Sequence, residues 1–425
     1  MLENIFEISN AAQGFFVKND RFKTTHISYN FYLPINPQKV AEYALLPFVL
    51  TTCGKEYPDF SRLNFKLCKL YSASLSASAE KVGDYQLLKM GISVIDDKYA
   101  LDSESLVIKA TEMINSLIFE PKVQDGQFSS EDVEREKRKA IEHIRGEMSE
   151  KRLYARKRLI EEMFSGDVYG TPKCGTEEQV LAITPESLYK AWQDMLCRAY
   201  LQINVISGTL PQNIFSNVKE RLSGIDRSSA LTVNANIPLK PIYAAKRVEE
   251  KMDVAQGKLV MGFSAEVSPG ERESVPFTVM CDIFGGGPYS RLFTNVREKM
   301  SLCYYCSASG EKRKGYVMVD SGVEAENAKK AEAEILRQLE IIKSGNFSDF
   351  EFESSKKSII NTLKGYGDHQ EAIDAWYTIK CAAGTPISPE AYADMVESVS
   401  KAEVVNVAKS VKLHTVYSLI PKEAQ

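Results

Sequence analysis

Histidine is scarce in this sequence: four in 425 residues, at His26, His143, His369 and His414, with no two closer than 45 positions. No HxxxH or HxxEH occurs, so no helix can present two imidazoles to one metal ion. His143 has Glu142 beside it and Glu147 one turn on, but a charged helix surface accounts for that setting better than a metal site. His369 reads as a loop or helix-start residue. No G-x-S-x-G nucleophile elbow is present. The one glycine cluster, Gly285-Gly286-Gly287-Pro288, lacks both the GK[ST] ending of a phosphate loop and dinucleotide spacing, and reads as a turn before a helix. No apolar run reaches the roughly 18 residues of a membrane span. There is no basic excess either: 53 Lys and Arg against 57 Asp and Glu give a net charge of −4. That excludes a nucleic-acid binder driven by bulk charge. The start, Met1-Leu2-Glu3-Asn4, has neither the basic residues nor the apolar stretch of a signal peptide. Eight scattered cysteines include a single CxxC, Cys303 to Cys306, in a strand-like run and without a second pair to complete a zinc site. Reduced thiols in a cytoplasmic protein are expected.

What is present suits a two-part globular chain. Its length exceeds one ordinary core, and 44% apolar with 26% charged residues is an ordinary globular balance. The stretch 223–243 mixes Gly, Ser, Asn and two prolines without helical period and reads as a linker. It separates an N-terminal half, 1–222, from a C-terminal half, 244–425. The halves end alike. Thr184-Pro185 opens a helix that leads to the strand 201–206, and Ser400 with Glu403 forms a capping box before the strand 415–420. The two caps lie 216 residues apart, about half the chain. Strands are expected over 22–32, 85–95, 258–263 and 315–323. Helices are expected over 40–50, 104–119 and 328–342, the last closed by Gly345. A single long helix is expected from Ser129/Ser130 to Met163, with Val133, Ala140, Ile144, Met148, Ala155, Leu159 and Met163 on one face. Its other face carries ten Lys/Arg and nine Asp/Glu between 131 and 162, the balance of a solvated, internally paired helix.

Composition and periodicity show no catalytic machinery. A longer pattern does more. The segment from Phe284 to Tyr305, with its GGG, SRLF, REK and LxY elements, resembles the C-terminal signature of pitrilysin/insulinase-family zinc peptidases. VEREKRKAIEHI from Val133 and GTEEQVLAITPESL from Gly175 to Leu188 resemble segments of the family's first half. The resemblance covers nearly the whole chain. It implies an α+β fold of two homologous α/β sandwich halves, each a mixed or antiparallel sheet with helices on one face, set around a chamber.

In active members the first half carries HxxEH, and a downstream glutamate completes the zinc site. Here Ala44, Pro47 and Phe48 stand at the His, Glu and His positions, and Glu142-His143 at the third ligand's region. Neither an alanine, a proline nor a phenylalanine can ligate zinc or act as a general base. In the second half the family uses an Arg and a Tyr seven residues apart to bind substrate and polarise the scissile carbonyl; Arg297 and Tyr304 match that spacing. Tyr305 is the competing choice, and Arg297 pairing with Glu298 or Glu311 is the bland one. The resemblance therefore implies a non-catalytic, zinc-less subunit of a two-chain zinc metallopeptidase. It would hold no cofactor itself and would pair with an HxxEH-bearing homologue that carries the zinc. Together they would act on an extended peptide, with no nucleic acid or membrane involved. The alternative is a catalytically inert peptide-binding or scaffold protein of the same fold.

Overall fold

Residues that alternate in polarity build the sheets, and a computed structural model places them; it describes residues 2–101, 104–233 and 237–422. Strands β1 (Leu2–Ser9), β2 (Ala12–Lys18) and β3 (Thr24–Pro34) lead into helices α1 (Val40–Leu50) and α2 (Phe60–Lys69). The hairpin β4 (Ser74–Val82) and β5 (Tyr85–Ile95) precedes α3 (Leu106–Phe119). A small hairpin, β6 (Val123–Gln124) and β7 (Gln127–Phe128), is followed by α4 (Ser130–Ser149) and α5 (Lys151–Met163). Helices α6 (Glu177–Ala182) and α7 (Pro185–Arg198), strand β8 (Tyr200–Ser207) and helix α8 (Ile214–Ser223) complete the first half. The second half runs β9 (Lys246–Met252), β10 (Gly257–Ser264), α9 (Val275–Gly285), β11 (Cys303–Glu311), β12 (Tyr316–Val323) and α10 (Ala328–Lys343). It continues with α11 (Asp349–Gly365), α12 (Gln370–Ala382), α13 (Pro389–Glu397), α14 (Lys401–Ser410) and β13 (Lys412–Pro421). Thr184 and Ser400 both form capping boxes, and Gly345 takes the left-handed conformation after α10. Residues 224–233 and 237–243 form neither helix nor strand; 234–236 of the expected linker lie outside the described residues.

Two main sheets result, with strand orders β1-β2-β8-β3-β5-β4 and β11-β12-β10-β13-β9. Leaving β1 aside, they are the same topology: β2 parallel to β8 corresponds to β9 parallel to β13, and every other pair is antiparallel. The internal repeat is thus a repeat of fold, and β4 and β11 are its equivalent edge strands.

The chain divides into two compact units, and these are not contiguous halves. One comprises 1–144, 171–234 and 366–388; the other comprises 145–170, 235–365 and 389–425. Against the division at 1–222 and 244–425, each half gives one stretch to the other's unit. The stretch 366–388 contains α12 and the stretch 145–170 contains α5. The expected single helix from 129 to 163 is accordingly two. Glu150 leaves the helical region and its carboxylate caps α5 by accepting from the Arg152 and Leu153 amides. The apolar face read from sequence serves two cores: Val133 and Ile144 pack in the first unit, Ala155, Leu159 and Met163 in the second. Met148, near the break, is exposed.

In the first unit, alternation on β3 sends Ile27, Tyr29, Phe31 and Leu33 into the main core with residues of α1, α3, α7 and α8. Its other face carries His26, Ser28 and Asn30, all buried, and α12 lies on that face. So the sheet has helices on both faces. Asp374 of α12, fully buried, accepts from Ser28 Oγ (2.7 Å) and Asn204 Nδ2 (2.8 Å), pairs with Lys89, and lies 3.3 Å from His26 Nε2. His26 Nδ1 meets Ser93 Oγ at 2.7 Å. Burial alone would raise the Asp374 pKa, but the His26 hydrogen bond and the Lys89 charge outweigh it and hold the carboxyl well below the usual range. In the second unit α5 covers one sheet face with Leu159 and Met163 against Val260, Tyr417 and Leu419. Gly262 makes room there, since a Cβ would sit 2.5 Å from the Met163 sulfur. Buried Asp320 of β12 takes Arg152 Nε at 2.6 Å, Ser307 Oγ at 2.6 Å and Arg156 at 3.5 Å.

A depressed carboxylate stabilises the fold above its unfolded pKa of about 4, and that contribution is lost as pH falls below it. Asp374→Asn should therefore lower stability at pH 7 by about 3 kcal/mol, the scale of a broken buried pair, and flatten the acid-side decline. Thermal melts of wild type and variant between pH 3 and pH 7 check both effects.

Candidate functional site

Two places correspond to the residues singled out from sequence, one in each unit. In the first unit, α1 presents Ala41, Ala44, Leu45 and Phe48 at helical spacing, and α4 presents Glu136, Lys139, Ala140 and His143 at the same spacing. With Ser78, Ala79 and Glu80 of β4, they line a cavity of about 390 Å³. Ala44 and Phe48 are thus brought to the cavity together with His143, while Pro47, inside α1, is buried away from it. The carboxylates at the cavity are paired: Glu136 accepts from Lys139 at 2.9 Å and Arg135 at 3.1 Å, and Glu80 pairs with Lys173 at 3.4 Å. A zinc site needs at least three converging N, S or O ligands. Among the described residues no group of three or more His, Cys, Asp or Glu could hold a metal ion. The residues do not fit zinc: where the ion's ligands belong there is a methyl group and a phenyl ring.

In the second unit, a close approach fixes the other place. Gly285 ends α9 so near β11 that a Cβ would sit 2.3 Å from the Ala308 amide nitrogen. The glycine run then turns the chain into a π-helical segment, Leu292–Lys299, which carries Arg297. Single π turns recur at functional sites because the extra residue re-aims side chains. Between this segment and β11, Ser301 sits at φ +49°, a left-handed conformation strained for a serine. The Arg297 guanidinium lies over the Phe293 ring, 4.5 Å from its centre, and 3.6 Å from Glu298. It does not pair with Glu311, which holds Arg313.

The register of β11 on β12 separates the two tyrosines. Cys303 is opposite Val323 and Tyr305 opposite Gly322, so Tyr304 is the extra residue of a β-bulge. Tyr304 is 65% exposed. Tyr305 turns to the face covered by α5, where the Arg152 guanidinium stacks over it at 4.3 Å, and burial pushes its hydroxyl up to about 12. Arg297 and Tyr304 share no hydrogen bond among the described residues; the pKa of the Cys303 thiol beside Tyr304 is lowered first by Cys306 and then, against burial, by the Arg297 charge. The arrangement offers a planar cationic fork and an outward phenol at the start of one edge strand. The family resemblance singled out both residues; the bulge that exposes Tyr304 has no signature in composition or periodicity.

Residues 182–359 match the family described as peptidase M16 inactive domain. The chain is 29% identical over 403 residues to a Bacillus subtilis protein named "Probable inactive metalloprotease YmfF", covering 95% of this chain and 94% of that one. The crystal structure of a conserved protein from Enterococcus faecalis shares the fold with a TM-score of 0.92 at 24% identity, over 99% of both chains. A peptidase M16 inactive domain from Pseudomonas fluorescens shares it with a TM-score of 0.79 at 14% identity, over 100% of this chain and 99% of that one. Among the described residues no helix is long and apolar enough to cross a membrane. The repeated sheet, the first-unit cavity without a zinc-ligand set and these relatives converge: the chain has the fold of pitrilysin/insulinase-type (M16) peptidases and is similar to proteins described as inactive members.

Proposed function

We propose that this chain is the zinc-less subunit of a two-chain zinc metallopeptidase, pairing with an HxxEH-bearing homologue that supplies the zinc and acting on an extended peptide. The observation that carries the reading is Tyr304, turned outward by a bulge beside Arg297 on a strained, π-helical approach. A phenol held there can donate to the oxyanion that develops on a scissile carbonyl, and a guanidinium can grip a peptide carbonyl or carboxylate. An extended ligand is supported by β4, an edge strand with one partner, whose Ser74–Ala79 run has no charge, proline or bulge to blunt it. The cytoplasm suits eight free cysteines. The cavity at Ala44 and Phe48 favours a second reading, an inert peptide-binding or scaffold protein, and the tyrosine separates the two.

In the assembled pair, Tyr304→Phe should leave assembly intact and lower kcat by roughly 10²–10³-fold, the scale of one lost oxyanion donor. Arg297→Lys should chiefly raise KM, because lysine keeps the charge and loses the fork. Tyr305→Phe should change little, since its ring stays beneath Arg152. Unchanged turnover in Tyr304→Phe would reject the catalytic role and leave the scaffold reading. For the isolated chain, elemental analysis should find no stoichiometric zinc; about one tightly held ion per chain with chelator-sensitive cleavage would contradict the proposal.

A further inference from the structure

Cysteines three apart in a regular strand face opposite sides of the sheet, roughly 10 Å apart at about 3.3 Å per residue. They cannot bond. The bulge at Tyr304 changes this for Cys303 and Cys306. Cys303 is opposite Val323 and Cys306 opposite Ser321, and those partners are two residues apart on one strand. Directly opposed residues share a face, so both thiols lie on the same side of the sheet. This is the side where Ala308 meets Gly285 of α9. Their Cα spacing becomes that of an i, i+2 pair, roughly 6.6 Å, at the upper end of the range of about 4.4–6.8 Å that disulfides span, and their Cβ atoms must close to about 4 Å for the bond to form. Both are free, and 8% and 5% exposed.

We infer that Cys303 and Cys306 form a peroxide-sensitive dithiol whose closure to an intrastrand disulfide tightens the bulge and displaces Tyr304. The surroundings assign the roles. The neighbouring Cys306 thiol and, against burial, the Arg297 charge lower the Cys303 pKa, whereas the Cys306 thiol is raised by Cys303 and by burial. Cys303 is then the attacking sulfur and Cys306 the resolving one. The Cys303 thiolate attacks one peroxide oxygen, the O–O bond breaks, and the departing hydroxide takes up a proton as water, leaving a sulfenic acid. The Cys306 sulfur displaces that hydroxyl, which leaves as a second water after taking the Cys306 proton. The two thiols lose two electrons and the peroxide gains them. A bond made at the upper end of the spacing range is strained, and strained disulfides are readily reduced, which makes the change reversible. The effect on turnover rests on the role proposed for Tyr304; the disulfide does not.

The test treats the full-length native chain with hydrogen peroxide and digests it with trypsin. The peptide Met300–Lys312 holds both cysteines and no others. It should lose two hydrogen atoms, resist alkylation, and regain both properties with dithiothreitol. Cys306→Ser should stop at the sulfenic acid, trapped by dimedone on Cys303, and Arg297→Gln should slow oxidation several-fold. Cys281→Ser, which alters the thiol packed against Gly310, should leave the disulfide unchanged. A dithiol that persists at peroxide levels oxidising exposed Cys68, a Cys303 that over-oxidises to sulfinic acid with Cys306 present, or no dimedone adduct in Cys306→Ser would each overturn the inference. In the assembled pair, peroxide should suppress turnover and dithiothreitol restore it, with Cys306→Ser closing no disulfide. A disulfide that forms without changing turnover would overturn the link to Tyr304 and leave the redox chemistry standing.

Discussion

A buried carboxylate holds each exchanged helix on the sheet of the other half's unit, and most of the architecture depends on those two anchors. Asp374 travels with α12 and meets Lys89, His26, Ser28 and Asn204 on the first sheet. Asp320 stays on the second sheet and receives Arg152 and Arg156 from α5. A buried ion pair is a poor source of net stability, because desolvation offsets much of the attraction. It is a strong constraint on register, because an unpaired charge in that environment is costly. The helices therefore cannot slide along the sheets, and for α12 hydrogen bonds from Tyr32, Gln202 and Asn204 to Tyr377 and Thr378 add to the constraint. Neither contiguous half contains its own complete fold: 1–222 alone would leave the polar face of His26, Ser28 and Asn30 without its covering helix.

The repeat gives the molecule two equivalent edge strands, and they have diverged. Beside β4, Ala44 and Phe48 stand in the lining of a largely apolar cavity. On β11, one inserted residue produces the bulge that turns Tyr304 outward, puts Tyr305 under Arg152 and brings Cys303 and Cys306 to one face. A one-residue change in register thus decides the chemistry of four consecutive side chains.

Much of the sheet framework was legible in sequence, because alternation and caps are local. Strand 85–95 and helix 40–50 match their expected limits, and the capping positions Thr184 and Ser400 mark equivalent helices. The helix exchange was not legible. A strand face bearing His26, Ser28 and Asn30 looks like a solvated face, and its buried partner Asp374 is 346 positions from Ser28. The continuous apolar stripe from Val133 to Met163 hid the break at Glu150, since two helices serving two cores can share one periodicity. Arg297 and Tyr304 were singled out only through the resemblance of a long spaced motif to the family's second half. The relation between the two cysteines depends on a bulge, which no side-chain pattern encodes.

The central claim is that this chain completes the site of a zinc-bearing homologue. It is tested most directly by purifying an HxxEH-bearing homologue alone, this chain alone, and the two co-expressed, then measuring zinc-dependent cleavage of unstructured peptides by each. The account predicts a stable complex that cleaves, with little or no turnover by either chain alone. A homologue that is fully active alone and forms no complex with this chain would contradict it.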